Sequence, residues 1–201
     1  MRLKQKVLPY ALQGLIELDE TYFASSHKGK KLSGVKSKVR GTSASSRGLS
    51  NEQFCLITGV DRTDGVFSAC VNRGKPKTSD ITKACINRIV PQSEILTDGL
   101  ESYNDLFNLT KSSYKKLVGH KSFDKVHHLN NVNSFHCKIK KMYSYYRSVS
   151  SKYLNRYGAL FSIQWLLRSA DTQEALLIVM KRLRNCSDHF YIRMIQNVGI
   201  V

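Results

Sequence analysis

Residues 14–23 read GLIELDETYF, and this stretch decides the fold. Glu17, Asp19 and Glu20 fall within four positions, after Leu15-Ile16 and before Tyr22-Phe23. Alternation with a period of two puts Leu15, Glu17 and Asp19 on one face of a strand and Ile16, Leu18 and Glu20 on the other. A strand covered on both faces holds a carboxylate only at a cost of several kcal/mol, unless a partner or a cation neutralises it. Three readings stand for these acids: salt-bridged structure, metal ligand, or an exposed strand end.

The 201 residues are enough for one domain, and a chain of this size buries roughly 70% of its unfolded surface. Apolar content of 41% and charged content of 23% are those of a globular protein. The charge balance is not: 32 Lys and Arg stand against 15 acids, for a net charge of +17. That surface favours a polyanion, most simply nucleic acid. A ribosomal-type binder or a membrane-surface protein would carry the same balance. No apolar run approaches the roughly 20 residues that span a bilayer, and the basic start MRLKQKVLPYALQG has too short an apolar stretch for a signal peptide. The five cysteines form no C-x-x-C pair, which argues against a zinc ribbon and suits buried free thiols in a reducing cytoplasm.

Around the acidic strand the order is legible. Residues 1–13 form a lead-in, and the Lys/Ser/Gly-rich segment 24–53 a basic loop or hairpin. Phe54–Val60 and Val66–Val71 pair through the Asp64-Gly65 turn. A helix over Thr78–Ile89, N-capped by Thr78 or Ser79, leads to a short strand at Glu94–Thr97 that ends on Asp98-Gly99. A helix at Leu100–Leu109 and a weak strand at Lys115–Val118 follow. Val132, Phe135, Ile139, Met142 and Tyr146 recur at helical steps over Asn130–Tyr146, and helices at Ser148–Phe161 and Thr172–Leu183 close the chain. Trp165 reads as core. The fold class is α/β, a ribonuclease-H-like mixed sheet flanked by helices, with a C-terminal helical extension at 162–201.

Asp19 stands near the end of the first strand and Asp98 at the end of the fourth. If those strands are neighbours, the two carboxylates meet at one edge of the sheet and repel unless divalent cations sit between them. Mg²⁺ takes oxygen ligands and keeps waters for phosphates; two such ions can activate a hydroxyl and stabilise a leaving oxygen. Asn133 and Lys140, almost two helical turns apart, share a face beside the apolar stripe. That face offers a neutral oxygen to a metal and a cation to a phosphate.

GLIELDETYF, ITGVDRTDGV (57–66), ILTDGLESY (95–103), HLNNVNSFHCKIKK (128–141) and VSSKYLNRY (149–157) together resemble the catalytic domain of bacterial insertion-sequence transposases of the DDE superfamily. The match is to the branch with the signature Asp, Asp, Asn or Glu, then Lys seven residues on. The resemblance implies a catalytic domain over 14–161, with Asp19, Asp98 and Asn133 as ligands of Mg²⁺ or Mn²⁺, two ions in all. It implies Lys140 as a catalytic-site contact to DNA, and Lys141, His128, Lys152 and Arg156 as further DNA contacts. Glu20 also matches the pattern. Implied with it are cleavage and strand transfer at element ends, self-association on DNA, no membrane partner, and a bacterial, cytoplasmic, nucleoid-associated setting.

Family members usually carry an N-terminal zinc ribbon before the first Asp; only about a dozen residues with no C-x-x-C stand there in this sequence. A truncated, catalytically silent DNA-binding remnant is therefore the second expectation. Asn at the third position also leaves one negative charge fewer for the second metal.

Overall fold

A computed structural model describes residues 11–29, 33, 51–118, 124–146 and 149–184. Most of the expected basic segment 24–53, the end of the chain with Cys186, and Arg147 lie outside the described residues.

The strands are β1 (Leu15–Ala24), β2 (Gln53–Asp61), β3 (Val66–Arg73), β4 (Glu94–Thr97) and β5 (Ser113–Lys116). The helices are α1 (Thr78–Cys85), α2 (Asn104–Thr110), α3 (Asn130–Tyr145), α4 (Leu154–Leu166) and α5 (Thr172–Arg184). The sheet order is β3-β2-β1-β4-β5, with β1 antiparallel to β2 and parallel to β4. A three-strand meander extended on the far side of β1 by parallel strands is the ribonuclease-H-like arrangement expected from the element order.

β1 is the hinge of this plan. Ile16 and Leu18 join Leu12, Ile57, Phe67, Ile81, Ile95, Tyr103 and Leu106 in a core beneath α1 and α2. Phe23 joins Leu56, Val60, Leu96, Val132, Phe135, Ile139, Phe161 and Trp165 in a second core beneath α3 and α4. The alternation read from the sequence thus separates two cores, each fully buried Leu, Ile or Phe contributing about 1.5–3 kcal/mol. Leu12, from the expected lead-in, is itself core at 1% exposure and bridges to Ile89.

Glu17 lies on the α3 side of β1 and is completely buried. Its carboxylate accepts from the Val132 amide and the Asn131 side chain, both at 2.9 Å, and pairs with Arg62 Nη1 at 2.8 Å. A strand residue thereby caps the first turn of α3, where free backbone N–H groups favour a negative charge. Arg62 also donates to the Val126 carbonyl at 2.7 Å, fastening the approach to α3.

Tertiary bonds move several expected boundaries. The helix expected over Thr78–Ile89 tightens into a 3₁₀ turn at Ile86–Arg88, because Leu12 takes up the Arg88 carbonyl and the Val90 amide. Its N-cap is Lys77, not Thr78 or Ser79, and the Lys77 amide donates to Asp80 at 3.0 Å. The helix expected from Ser148 becomes α helix only at Leu154. Ser151 exchanges bonds of 2.9 and 2.8 Å with Ser26, which keeps the chain beside the end of β1. β5 falls at Ser113–Lys116, two residues before the expected strand, because β4 offers pairing only along Glu94–Thr97. Beyond the half-buried Met142 the apolar stripe of α3 reaches the surface at Tyr146, whose partly exposed ring packs edge-on against Tyr157 of α4 at 5.1 Å. On the edge strand β3, Asn155 Oδ1 accepts the Cys70 amide at 2.7 Å. Cys55 and Cys85 are buried as expected, whereas Cys137 is exposed.

Removing the Glu17 carboxylate strands Arg62 and the first amides of α3 together. Glu17→Ala is expected to cost about 1–3 kcal/mol, the range for leaving buried hydrogen-bonding groups without a partner. Equilibrium urea unfolding monitored by far-ultraviolet circular dichroism would measure it, with Glu17→Gln losing less because the amide oxygen still accepts from Val132.

Candidate active site

β1 and β4 pair as Leu15 with Glu94, Ile16 with Ile95 and Glu17 with Leu96. Continuing that register two residues brings Asp19 beside Asp98. β4 stops at Thr97, and the chain turns at Gly99, whose φ of +97° suits glycine. The Asp98 carboxylate braces the turn by accepting the Leu100 amide at 3.2 Å. β1 runs on to Ala24, so its acidic residues project past the end of β4.

Carboxylate oxygens of Asp19, Glu20 and Asp98 lie within 4.8 Å of one another. The two aspartates meet as the sequence implied. Glu20 joins them although alternation sends it toward the opposite face, where Tyr103, fully buried beside α2, donates its hydroxyl to Glu20 Oε1. Asn133 lies in the first turn of α3 with its side chain exposed, its amide bonded to the Leu129 carbonyl at 3.0 Å. One turn further, His136 Nδ1 stands 3.6 Å from Asp19 Oδ2. Lys140, also exposed, is close enough for its charge to act on Asp19. Asn133, His136 and Lys140 share one helical face, of which His136 and Lys140 stand near Asp19.

His136 and Thr58 are the residues the sequence reading missed. Thr58 donates its hydroxyl to the Asp19 carbonyl at 2.9 Å. Its oxygen therefore accepts from His136 Nε2 at 2.5 Å. This assigns the ring hydrogen to Nε2 and leaves the Nδ1 lone pair toward Asp19. Burial holds the ring neutral, pulling its pKa down to about 4, and Lys140 acts in the same direction. The available signal was spacing, because His136 falls on the face already marked by Asn133 and Lys140.

Burial pushes the Asp19 carboxyl up to about 6; the Glu20 amide bonded to it opposes the rise, Asp98 adds to it, and Lys140 opposes it. Burial likewise raises Glu20 to about 7; the Tyr103 hydroxyl opposes the shift, and the two neighbouring aspartates add to it. Such a cluster favours a bound cation over three bare charges. Its donors are carboxylate oxygens, the set that hard cations such as Mg²⁺ and Mn²⁺ take.

The other expected contacts divide. Lys141 and Lys152 are exposed, with Lys152 Nζ 4.6 Å from the centre of the Tyr153 ring and Arg156 Cζ 5.2 Å from it. His128 instead turns into the Glu17 cluster, 3.5 Å from that carboxylate and 3.4 Å from Arg62. Trp165 is core as expected, edge-on to Phe135 at 5.4 Å.

The family model described as the ISXO2-like transposase domain matches residues 11–165. The chain belongs to that transposase family. Among curated proteins none matches its sequence. Among solved structures, an intasome of simian T-cell lymphotropic virus in complex with the PP2A regulatory subunit B56 gamma is 11% identical, with a TM-score of 0.47. It matches over 82% of this chain and 51% of its own. The Mos1 strand transfer complex is 9% identical, with a TM-score of 0.39, over 86% of this chain and 52% of its own. A pre-cleavage Mos1 transpososome is 9% identical, with a TM-score of 0.33, over 94% and 64%. This transposase domain thus spans about half the length of the first two chains. No helix among the described residues is long and apolar enough to cross a membrane.

The acidic cluster has a pH signature. The folded form holds the Glu20 proton more tightly than the unfolded chain, so its contribution is full below the ordinary value of 4.5 and is lost as pH rises through about 7. His136 acts oppositely: its contribution is lost as pH falls from 6.5 through about 4, and above 6.5 the ring is neutral in both states. In chelator, the melting temperature is therefore expected to fall between pH 6.5 and about pH 8. Glu20→Gln should flatten that fall and melt about 2–4 °C higher at the upper end, the shift expected for about 1 kcal/mol. Differential scanning calorimetry across the window measures it.

Proposed function

We propose that this domain is the catalytic core of an insertion-sequence transposase that cuts phosphodiester bonds at element ends and joins the freed strand to target DNA. The meeting of Asp19 and Asp98 at the end of the parallel β1–β4 pair carries this reading. In it Asp19 and Asp98 hold the divalent ions, Mg²⁺ or Mn²⁺ and two in number, with Asn133 completing the site from α3. The expected catalytic unit, 14–161, extends to Leu12 and Trp165, which pack in its two cores, and α5 follows it.

The ions would supply Lewis-acid stabilisation of the attacking and leaving oxygens of an in-line displacement. The chain's own residues do the placing. Thr58 fixes the backbone of the first aspartate, His136 holds the Thr58 hydroxyl, and the Gly99 turn fixes the second. Lys140 brings a positive charge to the same edge, fitted to the non-bridging oxygens of a phosphate. In the first reaction a water oxygen attacks phosphorus and the strand's 3′ oxygen leaves, taking up a proton to become a hydroxyl. In the second, that hydroxyl attacks a target phosphodiester, forms the new bond and expels the target's own 3′ oxygen.

The partner is DNA, engaged first through charge. Lys141, Lys152 and Arg156 extend the positive surface of a chain carrying +17, so binding should weaken steeply with salt. We place the protein in the bacterial cytoplasm at the nucleoid, self-associating when two element ends are brought together.

The test is nicking and strand transfer on a duplex bearing the element's terminal repeats, with Mg²⁺ or Mn²⁺. Asp98→Ala should lower both by at least about 10³-fold, some 4 kcal/mol of transition-state stabilisation, with the circular dichroism spectrum retained. Metal-dependent nicking at the wild-type rate by that variant would overturn the assignment. DNA binding by the wild type with no cleavage in either metal would favour the silent remnant.

A further inference from the structure

Two buried or half-buried glutamates on β1 meet different ends. Glu17 is neutralised within the protein by Arg62 and the first turn of α3. Glu20 is not: among the described residues it forms no ion pair with a Lys or Arg, and its side-chain partner is the neutral hydroxyl of Tyr103. Its nearest charged neighbours, Asp19 and Asp98, have the same sign. A carboxylate aimed at two others, with no protein cation to balance it, is a charge arranged for a ligand of opposite sign.

We infer that Glu20 is a direct ligand of the divalent cation held at Asp19 and Asp98, supplying from β1 the charge that Asn133 does not bring from α3. This rests on the metal-dependent reading above and adds a ligand to it. Ligand oxygens on one octahedral ion at about 2.1 Å stand roughly 3–4 Å apart. The three carboxylates, with oxygens within 4.8 Å of one another, need only small side-chain rotations to meet that spacing.

Tyr103 makes the arrangement specific. It follows Asp98 by one turn of chain, so the segment that presents the second aspartate also presents the hydroxyl that orients Glu20. The hydroxyl occupies Oε1 and leaves Oε2 to the ion. Outer partners of this sort fix a ligating carboxylate without touching the metal. Consecutive strand residues point to opposite faces, and they can share an ion only where a neighbouring strand has ended. β4 ends at Thr97, beside that point.

Mn²⁺ binding to the full chain, followed by electron paramagnetic resonance of free Mn²⁺ and by isothermal titration calorimetry, tests this without DNA or turnover. Glu20→Gln keeps an oxygen for Tyr103 and removes the charge. It is expected to weaken Mn²⁺ binding at least tenfold. Tyr103→Phe keeps the carboxylate and frees it; about tenfold weaker binding is expected. Asn133→Ala, which removes no charge, should weaken binding less than Glu20→Gln does. Asp98→Asn reports on the underlying reading and should abolish binding. If Asp98→Asn abolishes binding while Glu20→Gln and Tyr103→Phe bind as wild type, Glu20 is no ligand and the metal site stands without it. If Asp98→Asn binds as wild type, the metal site itself fails. Should Glu20→Gln lose its native circular dichroism spectrum, the Tyr103→Phe affinity decides: unchanged overturns the inference, weakened supports it.

Discussion

The parallel register between β1 and β4 is the constraint on which the rest depends. Three residue pairs set it, and two further steps along the same ladder bring Asp19 and Asp98 side by side. A slip of one residue would turn either acid to the other face of the sheet. The slip is resisted because Ile16 and Ile95 belong to one core and Leu96 to the other, so that any shift drives apolar side chains out of both. Hydrophobic burial thus does electrostatic work. It holds two like charges together in a place neither would choose.

Along β1, neighbouring acids show how environment divides labour among similar groups. Glu17 is sealed in and balanced by Arg62 and helix amides, which makes it an anchor for α3. Asp19, two residues on, lies beside Asp98 and Glu20 past the end of β4, its carbonyl held by the Thr58 hydroxyl. The salt-bridged reading of these acids thus holds for Glu17, while Asp19 joins Glu20 and Asp98 in the carboxylate cluster. Because α3 is held at its start by Glu17 and at its middle by His136, docking of this helix and presentation of the first aspartate are one event.

Much of this was legible in the residues. Alternation in GLIELDETYF assigned each apolar side chain of β1 to its core, and Asp98 falls at the end of β4 as expected, whereas Asp19 lies mid-strand because pairing with β2 carries β1 on to Ala24. The periodic stripe through Val132, Phe135 and Ile139 located α3. What escaped was set by contacts distant in sequence. Glu20 was assigned by alternation to the far face, and nothing local says that the adjacent strand ends where it does. His136 looked like one more polar residue on a basic helix until Thr58, 78 positions away, took its Nε2 hydrogen. The late start of α4 follows from Ser26 holding Ser151, a pair no local propensity contains. His128 matched a family pattern, yet the structure spends it on the Glu17 cluster.

The Asn155 side chain on the Cys70 amide has a consequence for how copies of this domain can gather. β3 is an outer strand, and an open outer strand is a template onto which another chain can stitch itself. Asn155 occupies one of its donors from α4, interrupting the row of backbone groups such stitching would need. At that point of β3 the helix side chain, and not a second strand, meets the backbone.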